Sequence, residues 1–183
     1  MSKMLTLHFS VLAAACMFAV HPARAEMNQD EYKAAKDRIE STLKSDKAAC
    51  GNQSGNAKDV CIEEAKAREK VARAELDFNR SGKDKDARKV SEVKAKTTYD
   101  VAKEKCDDLS GNAKDVCVKD AKAAETKSLA DIKASKEIRE TQKDAAQDKN
   151  DAEYKAAVER CDSYSGDAKN NCQADVKARF GKR

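Results

Sequence analysis

The chain has 183 residues, 38% of them Asp, Glu, Lys or Arg, and a formal net charge of +4. Acid and base are finely mixed and only 4% of residues are aromatic, which excludes the basic, base-stacking surface of a nucleic-acid reader. Beyond the first 25 residues, Leu, Ile, Val and Phe make up about an eighth of the chain, below the roughly 20% at which a core can be buried, so a compact globule is not expected.

Lys3, the apolar run over residues 11–20, His21-Pro22 and Ala23-Arg24-Ala25 follow one another as a secretory signal peptide does. Residues 1–25 are therefore expected to be removed after Ala25, leaving 26–183 as a single elongated helical domain. A rival lipoprotein-type reading at Leu12-Ala13-Ala14-Ala15-Cys16 is weaker, because Ala13 stands where Leu is usual and the apolar run continues past Cys16. The apolar run is too short to span a bilayer, and no later segment approaches the roughly 20 apolar residues that spanning needs. His8, His21, Pro22 and Cys16 leave with the leader. Without histidine the processed chain has no Ser-His or Cys-His nucleophile pair and no histidine-ligated zinc. Nothing marks an individual Asp, Glu or Lys for catalysis, so no catalytic residue, cofactor or metal site is expected.

The remaining sequence favours helix. Ala, Lys, Glu, Asp and Arg dominate, mostly strong helix formers, and no proline interrupts them. Opposite charges recur three or four apart, as at Glu63, Lys66 and Lys70, or Asp100, Lys103 and Glu104, where each pair adds about 0.2–0.5 kcal/mol to an exposed helix. Tyr32, Ala35, Ile39 and Leu43 form the first apolar stripe, leading into Cys50.

An internal repeat begins at that cysteine: Cys50-GNQSGNAKDV-Cys61, Cys106-DDLSGNAKDV-Cys117 and Cys161-DSYSGDAKNN-Cys172. Gly55, Gly111 and Gly166 suit the left-handed residue that closes a helix. Asn56, Asn112 and Asp167 are the expected N-caps of the helices that follow, with Asp59 and Asp115 three residues further on, where a carboxylate favours the helix start. Each unit reads as a helical corner stapled by its two cysteines. The spacing fits neither the Cys-x-x-Cys of thiol oxidoreductases nor paired zinc ligands. An exported chain with cysteines in regular pairs normally oxidises them. The expected links are Cys50–Cys61, Cys106–Cys117 and Cys161–Cys172, each closing a loop of about a dozen residues for roughly 3 kcal/mol in the chain-entropy account.

Between Ala57 and Cys106 the helical pattern falters once, at Asn79-Arg80-Ser81-Gly82, where a kink or short turn is expected. Asn79-Arg80-Ser81 also matches the N-glycosylation triplet, which is read here as a coincidence. From Ala113 to Cys161 no glycine or proline intervenes, so one helix of about 70 Å is expected. Tyr154, Ala157, Val158 and Cys161 form its final stripe. If each stapled corner reverses the chain, turns one and three lie at the same end of two long antiparallel helices, where four helices meet. The middle staple then joins the two longest helices. The fold class is all-α: elongated antiparallel helical hairpins, or a coiled-coil-like bundle, with disulfide-stapled turns.

With its SGNAKDVC motif, its charged helices and the closing Ala174-Asp175-Val176-Lys177-Ala178-Arg179-Phe180-Gly181-Lys182, the chain resembles a group of small exported Gram-negative helical proteins of unknown function. Some of these are called TolA-like, after the helical linker of the Tol-Pal envelope system; the likeness to TolA itself is one of composition. The resemblance covers the chain beyond the leader and implies no site. The expected role is that of a periplasmic or secreted, non-enzymatic structural or interaction protein, with an envelope protein as partner and monomeric or weakly self-associating. The alternative is a periplasmic metal-binding or stress-buffering protein that uses reduced thiols.

Overall fold

A computed structural model of the protein describes residues 27–182. The signal peptide expected over residues 1–25 lies outside the described residues. Five α-helices follow one another: α1 Gln29–Ala49, α2 Gly55–Ser81, α3 Asp84–Lys105, α4 Gly111–Cys161 and α5 Gly166–Arg179. No strand occurs among the described residues. The expected all-α class with stapled helical hairpins is the observed one.

α1 opens on a reciprocal cap. Asn28 Oδ1 accepts from the Glu31 N–H at 2.9 Å, and the Glu31 carboxylate accepts from the Asn28 N–H at 3.1 Å, which satisfies two donors that the first turn leaves free. Its apolar stripe is the expected one, with Tyr32, Ala35, Ile39 and Leu43 all half-buried and Cys50 fully buried. That stripe lies antiparallel on α2, held at the rim by Glu40–Arg73 and Asp46–Arg68, each at 3.0 Å.

The falter after Asn79 is a full reversal. Gly82 takes φ +61° and its N–H donates to the Phe78 carbonyl at 2.8 Å. A left-handed residue here is strained for any side chain but free for glycine. α3 then runs back along α2 for its whole length, with Glu75–Lys94 at 2.6 Å, Lys70–Asp100 at 3.1 Å and Glu64–Lys105 at 2.8 Å marking the antiparallel register.

That reversal overturns the expected layout of two long helices. Turns one and two now share an end, where Asn56 Nδ2 donates to the Glu104 carbonyl at 3.2 Å. Turn three lies at the far end of α4. The middle staple accordingly joins α3, of 22 residues, to α4, of 51, and not the two longest helices, because α2 has 27.

α2 is the central helix, with α1 on one side and α3 on the other. Its buried positions are Ala65, Ala74 and Leu76. Small alanines let the backbones approach closely, so contact comes from proximity more than from bulk. Thr97 of α3 is buried without cost to its hydroxyl, which donates to the Val93 carbonyl at 2.9 Å.

α4 matches the uninterrupted helix expected from the sequence; its 51 residues span about 75 Å. Its first half lies against α3 through a face that includes Val118, Glu125, Leu129 and Ile132. Its last turns carry α5, where Tyr154 and Phe180 meet edge-on at 5.8 Å. Over residues 137–150 every side chain of α4 is exposed. Intrahelical pairs Lys133–Glu137 and Lys136–Glu140 lead into this bare stretch. Such pairs, together with helix-forming residues, hold a helix that has no neighbour to pack on.

Candidate functional site

The three stapled turns are the one feature that the chain builds repeatedly. In each, the carbonyl of the first cysteine accepts from the N–H three residues on: Gln53 to Cys50 at 3.0 Å, Leu109 to Cys106 at 3.0 Å and Tyr164 to Cys161 at 3.1 Å. A serine then extends, at φ −135°, −136° and −133° for Ser54, Ser110 and Ser165. Gly55, Gly111 and Gly166 follow at φ +57°, +55° and +59°. These glycines are left-handed as expected, for the reason that only glycine takes that angle freely.

The expected caps differ. Ser54, Ser110 and Ser165 occupy the cap positions, and none makes a side-chain cap bond. Asn56 is spent on the cross-helix bond to Glu104. With both cysteines fixing the corner, the start of the outgoing helix is held covalently, and a cap is not required to set its direction.

The six cysteines come together in the local pairs: Cys50 with Cys61, Cys106 with Cys117 and Cys161 with Cys172, as disulfides with Cα atoms 5.6, 5.7 and 5.7 Å apart. These separations fall in the ordinary range for a disulfide. Cys50, Cys106 and Cys161 are each 0% exposed. Among the described residues they are three of the six buried apolar ones, beside Ala65, Ala74 and Leu76. Three disulfides fit an oxidising environment.

Two of the turns carry an ion pair that the sequence reading missed. Asp107, next to Cys106, meets Lys114 at 3.0 Å, and Asp162, next to Cys161, meets Lys169 at 2.8 Å. The signal was in the repeat, since aspartate follows the first cysteine in both copies and lysine stands seven residues beyond it. In the first copy Gly51 takes the aspartate's place, and Lys58 has no such neighbour.

Hydrogen bonds along and between the helices shift several titratable groups. The Tyr32 hydroxyl donates to Asp77 Oδ1 at 2.7 Å, and that bond holds its pKa above the usual 10.0. Lys66 is pushed up by its bond to Glu63, and Lys122 by its bond to Glu125. Arg73 is raised by Glu69 first and then Glu40. Of the expected intrahelical pairs, Glu63 with Lys66 forms at 2.8 Å, whereas Asp100 turns across the seam to Lys70.

Glu125 is a buried carboxylate, 8% exposed, with Lys122 at 2.6 Å and the Lys122 ammonium 5.0 Å over the Tyr99 ring. The ion pair is internal to α4, and it is Lys122, set over the Tyr99 ring, that reaches across to α3. An open groove between α1 and α2 is floored by Ile39, Leu43, Ala65 and Ala72 and edged by Arg38 and Arg68. Among the described residues, no group of three or more His, Cys, Asp or Glu side chains is arranged to hold a metal ion. No helix among them is long and apolar enough to cross a membrane. The arrangement can staple, brace and present long charged helices. Comparison of the chain with family models, with curated proteins and with solved structures gave no match.

Proposed function

We propose that the protein is a periplasmic, non-enzymatic structural or interaction protein of the cell envelope, exported through residues 1–25 and acting as one elongated helical body from residue 26 onward. The observation that carries this reading is that all six cysteines beyond the leader are spent in three short-range disulfides. Disulfides of this kind persist where thiols are oxidised, which in a bacterium is outside the cytoplasm. The leader pattern and the resemblance to exported Gram-negative helical proteins support the same compartment. Long, solvated, mixed-charge helices support a role in contact, and the partner is an envelope protein.

Osmotic-shock fractionation of cells making the full precursor, with free-thiol counting on the recovered chain, tests this reading. Release with the periplasmic fraction, processed at Ala25 and without free thiols, is the expected result. Retention in the cytoplasm overturns it, and a released chain with reduced thiols favours a metal-binding or stress-buffering role instead. In vivo crosslinking of the released form identifies the partner.

A further inference from the structure

The two stretches between staples are near-copies in length and opposites in shape. Residues 62–105 fold back at Gly82 into α2 and α3, whereas residues 118–160 run straight as α4. Cys61 and Cys117 are 56 positions apart, and Cys106 and Cys161 are 55 apart. Aligning the staples therefore lays α2 on the first half of α4 and α3 on its second half, with the one missing residue at the bend. Ile138 then stands where Gly82 does. A β-branched residue resists the left-handed conformation that Gly82 adopts, so the second stretch has no place to turn.

The consequence is an unpartnered face. On α2, the face turned to α3 includes Val60, Glu64, Ala67, Val71 and Glu75, all half-buried. Their counterparts on α4 are Val116, Asp120, Ala123, Lys127 and Asp131, all exposed. On α3, Val90, Thr97 and Val101 are half-buried or buried, and their counterparts Ala145, Ala152 and Ala156 are exposed. This face is opposite the one that α3 and α5 cover on α4. It holds two of the four large apolar side chains that the described residues leave most open, Val116 at 47% and Ile138 at 57%.

The charges say what fits there. In the α2–α3 hairpin, Glu64 pairs with Lys105 and Glu75 with Lys94. The counterparts are Asp120 with Arg160 and Asp131 with Lys149, every sign kept. On one straight helix Asp131 and Lys149 are about 27 Å apart and cannot meet. The Lys70–Asp100 pair is not kept, since Thr126 and Lys155 stand there, but Lys127 and Glu153 are complementary in the same antiparallel register.

We propose that this face docks a second copy of the chain, α4 against α4 and antiparallel, with Asp131 of each copy opposite Lys149 of the other and Asp120 opposite Arg160. The pair reproduces between chains the contact that α2 and α3 make within one. Alanine replaces Val90, Thr97 and Val101 in the seam, so apolar burial is thin and the charges carry much of the attraction. The association is accordingly reversible and weakened by salt. It goes beyond the proposed envelope role and does not depend on it.

Sedimentation of the oxidised chain over a concentration series tests the proposal. At low ionic strength a monomer–dimer equilibrium is expected, shifting to monomer at high salt. Asp131→Lys and Lys149→Glu each set like charges against each other twice in the symmetric pair, and each should raise the dimer Kd by about tenfold or more. Combined in one chain they restore complementarity, and the Kd should return towards that of the unaltered protein. Circular dichroism at each step confirms that these exposed changes leave the helices intact. A chain that stays monomeric at all concentrations, a dimer indifferent to salt, or single reversals without effect overturns the proposal. So does rescue seen as compaction independent of concentration, which would mean that α4 bends and closes on itself.

Discussion

The Tyr32 hydroxyl and the Asp77 carboxylate, 45 positions apart, share a 2.7 Å hydrogen bond that ties the first turn of α1 to the last turns of α2. Arg80 lies 4.5 Å over the same ring, and donates to Gln29 at 2.8 Å. This is the one place where α1 is held at its open end, since its other end is held by a staple.

The phenol should therefore titrate above 10.0, because its proton is held in the hydrogen bond to Asp77 and its ionisation would also set two anions together. A group whose folded pKa is raised contributes stability that is fully present below the unfolded pKa and lost as pH rises through the folded one. Tyr32→Phe should accordingly lower stability at neutral pH, with the gap closing as pH climbs past 10. Ultraviolet titration of the phenol in the Asp77→Asn chain should show its pKa falling back towards the ordinary value; an unchanged titration curve counts against the bond.

Gly82→Ala should cost about 1–2 kcal/mol, the strain of a left-handed residue with a side chain. Nothing lies within 4 Å of the added methyl, so the loss is conformational and not steric. Gly82→Asn should cost less, since asparagine tolerates this region better. Urea unfolding of the two variants checks the order, and equal losses would point to a clash.

Non-reducing peptide mapping should recover Cys50–Cys61, Cys106–Cys117 and Cys161–Cys172, with no link between copies. Reduction should lower the melting temperature sharply while much of the helical circular dichroism survives at low temperature. Helix propensity is local, whereas closing each loop contributes about 3 kcal/mol.

The staples should not be equal. Breaking Cys106–Cys117 leaves α3 packed along α2, but breaking Cys161–Cys172 leaves α5 only its contact with α4, through Tyr154, Phe180 and the Lys182–Asp151 pair. A helix of 14 residues is marginal alone. Replacing Cys161 and Cys172 by Ser should speed amide exchange over 166–179 to nearly the unprotected rate, while the same change at Cys106 and Cys117 should speed exchange in α4 only modestly. Equal exchange in both variants would show that α5 is held by contacts other than its staple.

Much of this was legible beforehand, and the reason is spacing. The cysteine repeat has a fixed period, and a disulfide has a fixed reach, so the pairs could be read directly. The Tyr32–Leu43 and Tyr154–Cys161 stripes were legible because helical periodicity survives even where apolar residues are few. Gly82 was visible as a weak point but not as a reversal. A lone glycine in a helical pattern can mark a kink or a cap, and what decides here is that Val71, Phe78, Val90 and Val101 leave α2 and α3 a seam worth closing. From that one ambiguity followed the misplacement of turn three. The Glu125–Lys122 and Tyr32–Asp77 contacts were not legible, because among so many charges the sequence does not say which acid faces which neighbour.

The bare stretch of α4 over 137–150 also sets a distance. About 20 Å of lone helix separates the three-helix body around α2 from the α5 clamp, with no loop or glycine in which slack could collect. A straight helix of this kind transmits push and twist along its axis and yields mainly by bending. Whatever is held at turn two is thereby kept about 75 Å from whatever is held at turn three, as by a measured strut.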